Sequence, residues 1–334
     1  MLFIGFVCFS CGNAPPQQEL AETEEELTFH LPSVEEVLPI SEFREIWAYV
    51  LVGEENTLKQ GMAISDIGYF GAEIDTYGTL VNIPNRKKLS AFPGKVHLVV
   101  ACNGGALSYF TLRSGSAERK KLISDLLDAV KEYDGLQIDF EVVPRRSAAD
   151  YQSFLRELKA GLPPNKMFTV SLAARTKKID NDVYDYAKIL PTVDRILVMA
   201  YDEHWSTSVP GPVASMRWCR NVAEYSLNVI GKEKLIMGIP FYGRAWARPN
   251  HSRAYYHVGV QRIARENNVT EISRVEGIPT FDYTTPVSVK VYYDDAYSLS
   301  VRMEMYRSMG IDAIGFWCLG QETPDVWNII EVVR

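Results

Sequence analysis

Short apolar runs recur along the chain from residue 41 onward, and segments with helical periodicity separate them. The runs are rich in Val, Ile, Leu and aromatic residues, a composition typical of strands that a parallel sheet buries on both faces. There are eight such runs, at residues 46–52, 67–71, 96–102, 134–141, 168–172, 195–201, 234–241 and 311–317. Eight parallel strands with helices between them close into a (β/α)8 barrel, so we predict an α/β fold, a TIM barrel.

Two of the separating segments have a clear amphipathic pattern. Residues 116–132 place Leu122, Leu126 and Val130 on one helical face, and residues 148–162 form a second helical pattern that ends before two prolines. An open doubly wound sheet is the alternative architecture for alternating strands and helices. Such a sheet usually carries a glycine-rich phosphate loop, and the sequence has no GxGxxG motif, which favours the barrel.

The connection after the seventh run is irregular. It contains a helix-like segment at 258–266 and a strand-like segment at 288–293. We predict a small α+β insertion at 247–293, between strand 7 and the last helix, within a barrel domain that spans residues 41–334. The insertion would form one wall of a cleft at the carboxyl ends of the strands.

The fourth run has two chemically different faces. Side chains alternate along an extended strand, so Gln137, Asp139 and Glu141 point one way and the apolar residues between them point the other way. The preceding Asp134-Gly135 is a turn signal. Burying carboxyl groups is costly, so their presence here predicts a site at the end of this strand. A half-exposed strand with its acids in water is the alternative.

The charge distribution gives no support to a nucleic-acid partner. The chain has 334 residues, 47% of them hydrophobic, and a net charge of −7. Seven glutamates and no basic residue lie in residues 13–40, which leaves 35 acidic and 35 basic side chains from residue 41 onward. A nucleic-acid binder needs a basic footprint, so a neutral or weakly charged glycan is the more natural partner.

The N-terminal 40 residues differ from the rest. Residues 1–11 are apolar and end at Cys11, which resembles a bacterial lipoprotein signal with Cys11 as the lipidated residue. Residues 12–40 are acidic and predict an extended disordered tether. We therefore expect a secreted or envelope protein that contacts a membrane only through a lipid anchor. The alternative is a buried segment of a cytoplasmic protein, and ten apolar residues are too few to span a bilayer.

Other catalytic chemistries find little support in the sequence. The five histidines show no HExxH or paired spacing, and there is no GxSxG nucleophile elbow. Of the cysteines, Cys102 and Cys318 lie in apolar runs and are expected to be small core residues. We expect no metal, no cofactor and a monomeric protein.

Several motifs, in the expected order, resemble glycoside hydrolase family 18, the chitinase-like family. Residues 134–141, DGLQIDFE, resemble its DGxDxDxE signature, and residues 199–202, MAYD, resemble its MxYD element. Residues 238–244, 294–298 and 315–320 resemble later elements of the same family. Gln137 departs from the pattern, because the family has Asp at this position. A neutral amide there is typical of the branch of cell-wall and spore-cortex lytic enzymes.

The resemblance implies roles for individual residues. Glu141 would protonate the glycosidic oxygen and then activate water, and Asp139 would hold the acetamido group of the substrate. Tyr201 would donate its hydroxyl to the acetamido oxygen, and Gln137 would orient Asp139 without carrying charge. The residues expected to bind substrate are Trp317, Asp202, Tyr242, Arg244, Trp205 and Tyr49.

The expected function is that of a retaining glycosidase that hydrolyses β-1,4 linkages next to N-acetylglucosamine. Family 18 uses the 2-acetamido group of the substrate in place of a second carboxylate. The lipoprotein-like start and the amide-type motif favour peptidoglycan, and a chitinase acting on chitin oligosaccharides is the alternative. A non-catalytic, chitinase-like carbohydrate-binding protein is a further alternative, although such proteins commonly lack the acid that Glu141 supplies.

Overall fold

A computed structural model describes residues 37–247, 251–284 and 286–333, and it confirms the predicted TIM barrel. Eight parallel strands pair in chain order, and the last strand pairs with the first, which closes the barrel. The strands β1 to β8 are Glu45–Leu51, Asp66–Ile74, Lys95–Cys102, Gly135–Phe140, Met167–Ala173, Arg195–Met199, Leu235–Pro240 and Ala313–Trp317. The predicted signal segment 1–11 and most of the predicted tether 12–40 lie outside the described residues.

Helices follow most of the strands and cover the outside of the barrel. The α-helices, labelled α1 to α7, are Gly105–Leu112, Ala117–Ala129, Ala148–Gly161, Tyr186–Ile189, Met216–Val229, His257–Glu266 and Ala296–Ser308. Short 3-10 helices lie at Glu55–Thr57, Arg86–Leu89, Val130–Glu132, Arg145–Ser147 and Pro324–Asn328. None of these described helices is long and apolar enough to cross a membrane.

The helices begin and end where the sequence offers caps. The Ser116 hydroxyl accepts a hydrogen bond from the Arg119 amide at the start of α2, and Asp295 forms a reciprocal capping box with Ser298 at the start of α7. The helix predicted at 116–132 is α2 followed directly by the 3-10 turn Val130–Glu132. Outside the barrel, Ser41–Phe43 pairs with Ile330–Val332, and Leu80–Val81 pairs with β2.

Alternating side chains on the strands build two separate apolar cores. On β4, Leu136, Ile138 and Phe140 point outward into the core between barrel and helices, where Phe140 stacks on Phe154 of α3 at 5.7 Å between ring centroids. Burying one side chain of this size contributes about 1.5–3 kcal/mol. The second core lies inside the barrel and includes Trp47. The polar side chains of β4 therefore face the barrel interior.

Charged residues close the amino-terminal end of the barrel. Arg195 Nη2 lies 2.6 Å from Glu45 Oε1, and Arg44 Nε lies 3.1 Å from Asp312 Oδ2. Arg44 also pairs with Glu45, so the four side chains form one network. The network joins β1 to β6 and to the segment that precedes β8.

A polar pair lies just above this network inside the barrel. His97 Nε2 and Asp66 Oδ1 are 2.8 Å apart, both side chains are buried, and Asp66 also accepts a hydrogen bond from Ser65. Trp47 stacks on the His97 ring with centroids 4.2 Å apart. These side chains fill the lower half of the barrel, and ligand sites of such barrels lie at the carboxyl ends of the strands.

The insertion forms a five-stranded antiparallel sheet beside the barrel. In spatial order its strands are His251–Tyr255, Gly243–Ala247, Ser288–Tyr292, Ile278–Thr284 and Ser273–Val275. Helix α6 packs on the sheet through Val260, Ile263 and Ala264. The sheet begins at Gly243, four residues before the predicted start at 247, because the strand that directly follows β7 pairs with two insertion strands.

Gly135 has a role that differs from the predicted turn. It begins β4 itself, and its φ angle is not positive. A Cβ atom at this position would lie 2.4 Å from His97 Nδ1 and 2.5 Å from the Met167 carbonyl oxygen. Close packing between β3 and β5 requires glycine here. Asp134 fixes the entry to the strand, because its carboxylate accepts a hydrogen bond from the Val96 amide at 2.8 Å.

We predict that Gly135→Ala destabilises the barrel by about 1–3 kcal/mol, the usual cost of overpacking a filled interior. Urea unfolding followed by circular dichroism measures the change. Gly259→Ala in α6 is the matched control, because its Cβ would meet Tyr255 at an ordinary 3.5 Å and alanine favours helix. Equal stability of Gly135→Ala and the parent would contradict the close-packing argument.

Candidate active site

The carboxyl ends of β1, β4, β6, β7 and β8 bring most of the predicted site residues together. Gln137 and Asp139 lie on the inner face of β4, and Glu141 follows the last residue of that strand. Tyr49 comes from β1, Trp317 from β8, and the remaining predicted residues from the segments after β6 and β7. Those remaining residues are Tyr201, Asp202, Trp205, Tyr242 and Arg244.

Asp139 is buried, and the partly buried Glu141 interacts with its charge. Asp139 is 6% exposed, and its Oδ1 atom has no hydrogen-bond partner. Burial raises the pKa of the Asp139 carboxyl, and burial together with the charges of Asp139 and Asp202 raises the pKa of Glu141. Glu141 therefore keeps its proton near neutral pH, where an ordinary glutamate has lost it. This is the form that a general acid requires.

Gln137 lies directly below the acid pair and contacts Tyr49. The Tyr49 hydroxyl donates a hydrogen bond to Gln137 Oε1, and both side chains are buried. Burial also raises the pKa of Tyr49, which keeps the hydroxyl protonated. Because the amide oxygen is occupied, the Gln137 Nε2 group is a buried donor without a partner. Gln137 can thus offer an N–H to a carboxylate but cannot take up charge.

Two glycines make room for the tyrosine rings of the site. A Cβ atom on Gly68 of β2 would lie 2.7 Å from the Tyr49 ring, and one on Gly238 of β7 would lie 2.9 Å from the Tyr201 ring. The ring of Tyr201 also meets that of Tyr242 edge-on at 6.4 Å. Burial raises the pKa of Tyr201 well above its ordinary value, so its hydroxyl remains a hydrogen-bond donor.

Asp202 joins the segments after β6 and β7. Its Oδ1 atom accepts a hydrogen bond from the Tyr242 hydroxyl at 2.6 Å and lies 3.6 Å from Arg244 Nη2. Its φ angle is +58°, a left-handed conformation that aspartate adopts more readily than most residues. Arg244 is 3% exposed, and its Nε atom has no partner, so it retains a buried donor for a ligand.

Aromatic rings surround Trp317 at the end of β8. Its ring lies 5.2 Å from Tyr49 and 5.1 Å from Phe70, measured between centroids, and the Trp317–Cys318 peptide bond is cis. Trp317 is partly exposed, so part of the residue is accessible to solvent. An accessible aromatic ring at the mouth of a barrel suits the apolar face of a sugar.

Trp205 lies farther along the segment after β6, toward the insertion. Its carbonyl oxygen accepts a hydrogen bond from Trp246 Nε1 at 3.3 Å, and its own Nε1 donates to the Thr207 hydroxyl at 2.8 Å. The described contacts do not join Trp205 to the acid pair. They connect the barrel rim to the insertion, which places Trp205 at the side of the site.

Sequence reasoning missed Ser171 and Phe70 as members of this environment. Ser171 on β5 hydrogen-bonds with the Tyr49 hydroxyl, and Phe70 on β2 packs edge-on against Trp317. Both side chains point inward. The alternation of side chains along β5 and β2 could have identified them. Each lies an even number of residues from other inward-facing residues of its strand, so it faces the same side.

In the described part of the chain, no group of three or more His, Cys, Asp or Glu side chains is arranged to hold a metal ion. The side chains at the site offer several kinds of functional group. These include a protonated carboxyl, a second carboxyl beside it, and hydroxyl, amide and guanidinium donors with partners still open.

We predict that Glu141→Gln gains stability over the parent as the pH rises. A carboxyl whose pKa is higher in the folded state binds extra protons there, so the parent loses stability as the pH rises from the unfolded toward the folded pKa. Gln does not titrate, and the difference should grow by on the order of 1 kcal/mol between about pH 4 and about pH 8. Thermal unfolding across this range measures it. Glu233→Gln, at an exposed position, is the control, and a pH-independent difference would contradict the prediction.

The chain is similar to bacterial glycosylases. It is 29% identical over 229 residues to an uncharacterized glycosylase, YvbX, of Bacillus subtilis, covering 65% of this chain and 67% of the relative. It is 24% identical over 287 residues to the cortical fragment-lytic enzyme of Bacillus anthracis, covering 79% of this chain and 66% of that enzyme. The chain thus spans about two thirds of the length of these relatives.

Solved structures show the same fold. The spore cortex-lytic enzyme SleL of Bacillus cereus superposes with a TM-score of 0.77 at 22% identity, covering 87% of this chain and 74% of that chain. A chitinase from Chromobacterium violaceum superposes with a TM-score of 0.76 at 19% identity, covering 86% of this chain and 97% of that chitinase. The sequence matches glycosyl hydrolases family 18 over residues 46–322. With the barrel and the carboxyl pair in place, this match shows that the chain is a glycoside hydrolase that belongs to family 18.

Proposed function

We propose that this protein is a retaining glycosidase that cuts β-1,4 linkages next to N-acetylglucosamine, with peptidoglycan as its natural substrate. The observation that carries the proposal is the pairing of buried Asp139 with partly buried Glu141. Burial and the neighbouring negative charges raise the pKa of Glu141, so it holds a proton that it can transfer. An acid of this kind at the carboxyl end of a barrel strand suits the protonation of a glycosidic oxygen.

The reaction proceeds in two steps with the substrate as its own nucleophile. In the first step the acetamido carbonyl oxygen attacks the anomeric carbon while Glu141 transfers its proton to the leaving oxygen, giving a cyclic intermediate. In the second step Glu141 removes a proton from water, and the water oxygen attacks the same carbon and reopens the ring. Each step inverts the anomeric carbon, so the product retains the original configuration.

The neighbours of Glu141 position the acetamido group. Asp139 has an acceptor atom without a partner, and this atom takes the acetamido N–H. The protonated hydroxyl of Tyr201 donates to the acetamido oxygen. Both contacts hold the oxygen in line with the anomeric carbon, which lowers the entropic part of the barrier. Asp139, when ionised, also stabilises the positive charge that develops on the acetamido group.

The remaining contacts bind the sugar itself. Trp317 supplies an accessible ring for stacking, and Arg244 supplies a buried donor beside Asp202 and Tyr242. Aromatic stacking and a small number of fixed polar contacts are the usual means by which a concave site orients an uncharged ligand. Trp205 would extend these contacts toward the insertion.

The choice of peptidoglycan over chitin rests on the relatives and on Gln137. One similar protein is named a cortical fragment-lytic enzyme and another a spore cortex-lytic enzyme. The resemblance to family 18 associates an amide at position 137 with the branch of cell-wall and spore-cortex lytic enzymes. A chitinase function is the second candidate, because chitinases of the same fold are similar over most of this chain. Both polymers present the acetamido group that the proposed mechanism requires.

We predict that the protein releases sugars from N-acetylglucosamine oligomers or purified peptidoglycan, and that Glu141→Gln lowers the rate roughly 100- to 10,000-fold. Gln is similar in size but cannot transfer a proton. Product analysis by mass spectrometry measures turnover on both substrates, and proton NMR of the first product identifies its anomer.

A partly de-N-acetylated oligomer serves as the control substrate, because glucosamine lacks the acetamido carbonyl oxygen that attacks the anomeric carbon. Cleavage next to a glucosamine residue at an undiminished rate would contradict substrate assistance. An initial α-anomer would contradict retention. Equal glycan binding by the parent and Glu141→Gln, with turnover by neither, would favour the non-catalytic carbohydrate-binding protein.

We predict that Gln137→Asp stays active and that the acid limb of its pH–rate profile moves to higher pH. The new carboxylate lies in the buried interior beside Asp139, and repulsion between like charges raises the pKa of the pair. Initial rates measured across the pH range test this. A profile that overlays the parent would rule out an electrostatic role for position 137. Gln137→Asn, which keeps the amide, is the control.

A further inference from the structure

Tyr184, in the loop after β5, forms hydrogen bonds with the backbone on both sides of Glu141. The Tyr184 hydroxyl donates a hydrogen bond to the Phe140 carbonyl oxygen at 2.7 Å and accepts one from the Val143 amide at 2.9 Å. Phe140 precedes Glu141 directly, and Val143 follows it by two residues. Phe140, Val143 and Tyr184 are all buried. One hydroxyl therefore spans the short segment that carries the proposed acid.

The sheet itself does not provide this support on the β5 side. The pairing of β4 with β3 continues to Phe140, whereas the pairing of β4 with β5 ends at Ile138 and Val170. Beyond Ile138 the chain leaves its β5 neighbour. The Tyr184 hydroxyl provides a hydrogen-bond partner at this point, because a buried carbonyl or amide without one is costly.

The loop that carries Tyr184 is itself anchored. The Tyr184 amide donates to Asp182 Oδ1 at 3.1 Å, and Asp182 accepts two hydrogen bonds from Arg175, at 2.6 and 3.1 Å. Arg175 also donates to the Ala174 carbonyl at the end of β5. A bidentate pair of this kind fixes geometry as well as charge.

The surroundings of Asp182 favour its charged form. Burial alone would raise the pKa of Asp182, but the hydrogen bonds and positive charge of Arg175 outweigh it, and the pKa lies below its ordinary value. Tyr151 of α3 packs edge-on against the Tyr184 ring with centroids 5.9 Å apart. The position of Tyr184 is therefore set by β5 and α3, independently of the segment that it holds.

We infer that Tyr184 is a positioning residue for Glu141, and that its hydroxyl keeps the Glu141 carboxyl directed at the glycosidic oxygen. The inference rests on the acid/base role proposed for Glu141. Without the hydroxyl, the segment after β4 loses two fixed points next to the acid. A displacement of about 1 Å between reacting groups can cost about 100-fold in rate, even when substrate binding is intact.

The chain offers a matched control two residues farther on, at the start of α4. Tyr186 is also buried, and its hydroxyl donates to the Ala173 carbonyl at 2.7 Å, at the end of β5. Tyr186→Phe removes the same kind of hydrogen bond without touching the backbone near Glu141. A purely structural role for both hydroxyls would give the two variants the same properties.

The experiment compares Tyr184→Phe and Tyr186→Phe for thermal unfolding, kcat and KM on N-acetylglucosamine oligomers. We expect similar shifts in Tm for the two variants. For Tyr184→Phe we expect a fall in kcat of about 10- to 100-fold with KM within about twofold. For Tyr186→Phe we expect both constants within about twofold of the parent. Equal kcat values for the two variants, or a loss confined to KM, would overturn the inference.

A second readout does not depend on turnover. Carbon-13 NMR of the glutamate carboxyl groups, with the Glu141 signal identified by its absence in Glu141→Gln, reports the pKa of this residue. If Tyr184→Phe lets the carboxyl move toward solvent, its pKa falls toward the ordinary value, whereas Tyr186→Phe leaves it unchanged. An unchanged pKa in both variants overturns the inference.

The two proposals fail in different ways. Full activity of Glu141→Gln would remove the proposed acid, whatever Tyr184 does. An inactive Glu141→Gln together with a fully active Tyr184→Phe would leave the proposed function intact and reject the positioning role alone. Asp182→Ala, which removes the anchor of the loop, should change kcat in the same direction as Tyr184→Phe, by a smaller factor.

Discussion

The carboxyl groups of Asp139, on the inner face of β4, and Glu141, just after its end, lie next to each other, and within the described residues no cation forms an ion pair with either. Such an arrangement is unfavourable if both groups are ionised. Asp202, close by, differs in having partners, because Tyr242 donates a hydrogen bond to it and Arg244 lies 3.6 Å away, but burial still raises the pKa of its carboxyl. The rest of the site depends on the uncompensated pair, since it keeps one proton available inside the barrel.

The framework around this pair limits how the site can relax. Inward residues of β1, β4 and β5 meet at Tyr49, whose hydroxyl contacts both Gln137 and Ser171. Glycine on the neighbouring strands admits the rings of Tyr49 and Tyr201, so neither ring can be enlarged or shifted freely. Interiors packed in this way have few alternative arrangements. The stability lost by burying acids is therefore offset by apolar and aromatic packing around them.

Much of this organisation follows from sequence pattern. The alternation within residues 134–141 predicts which side chains of β4 face the interior, and eight apolar runs predict the closed barrel, because both features depend only on local periodicity. The role of Gly135 could not be predicted, since it depends on His97 and Met167 from two other strands. Tyr184 could not be predicted either, because an irregular loop carries it and its partners, Phe140 and Val143, are more than 40 residues away.

The charged network of Arg44, Glu45, Arg195 and Asp312 occupies the end of the barrel opposite the acid pair. Ion-pair networks gain importance as temperature increases, because the cost of dehydrating charged groups falls. The ion-pair network and the candidate site thus lie at opposite ends of one fold. Substitutions in the network would change how stability depends on temperature without touching the side chains around Asp139 and Glu141.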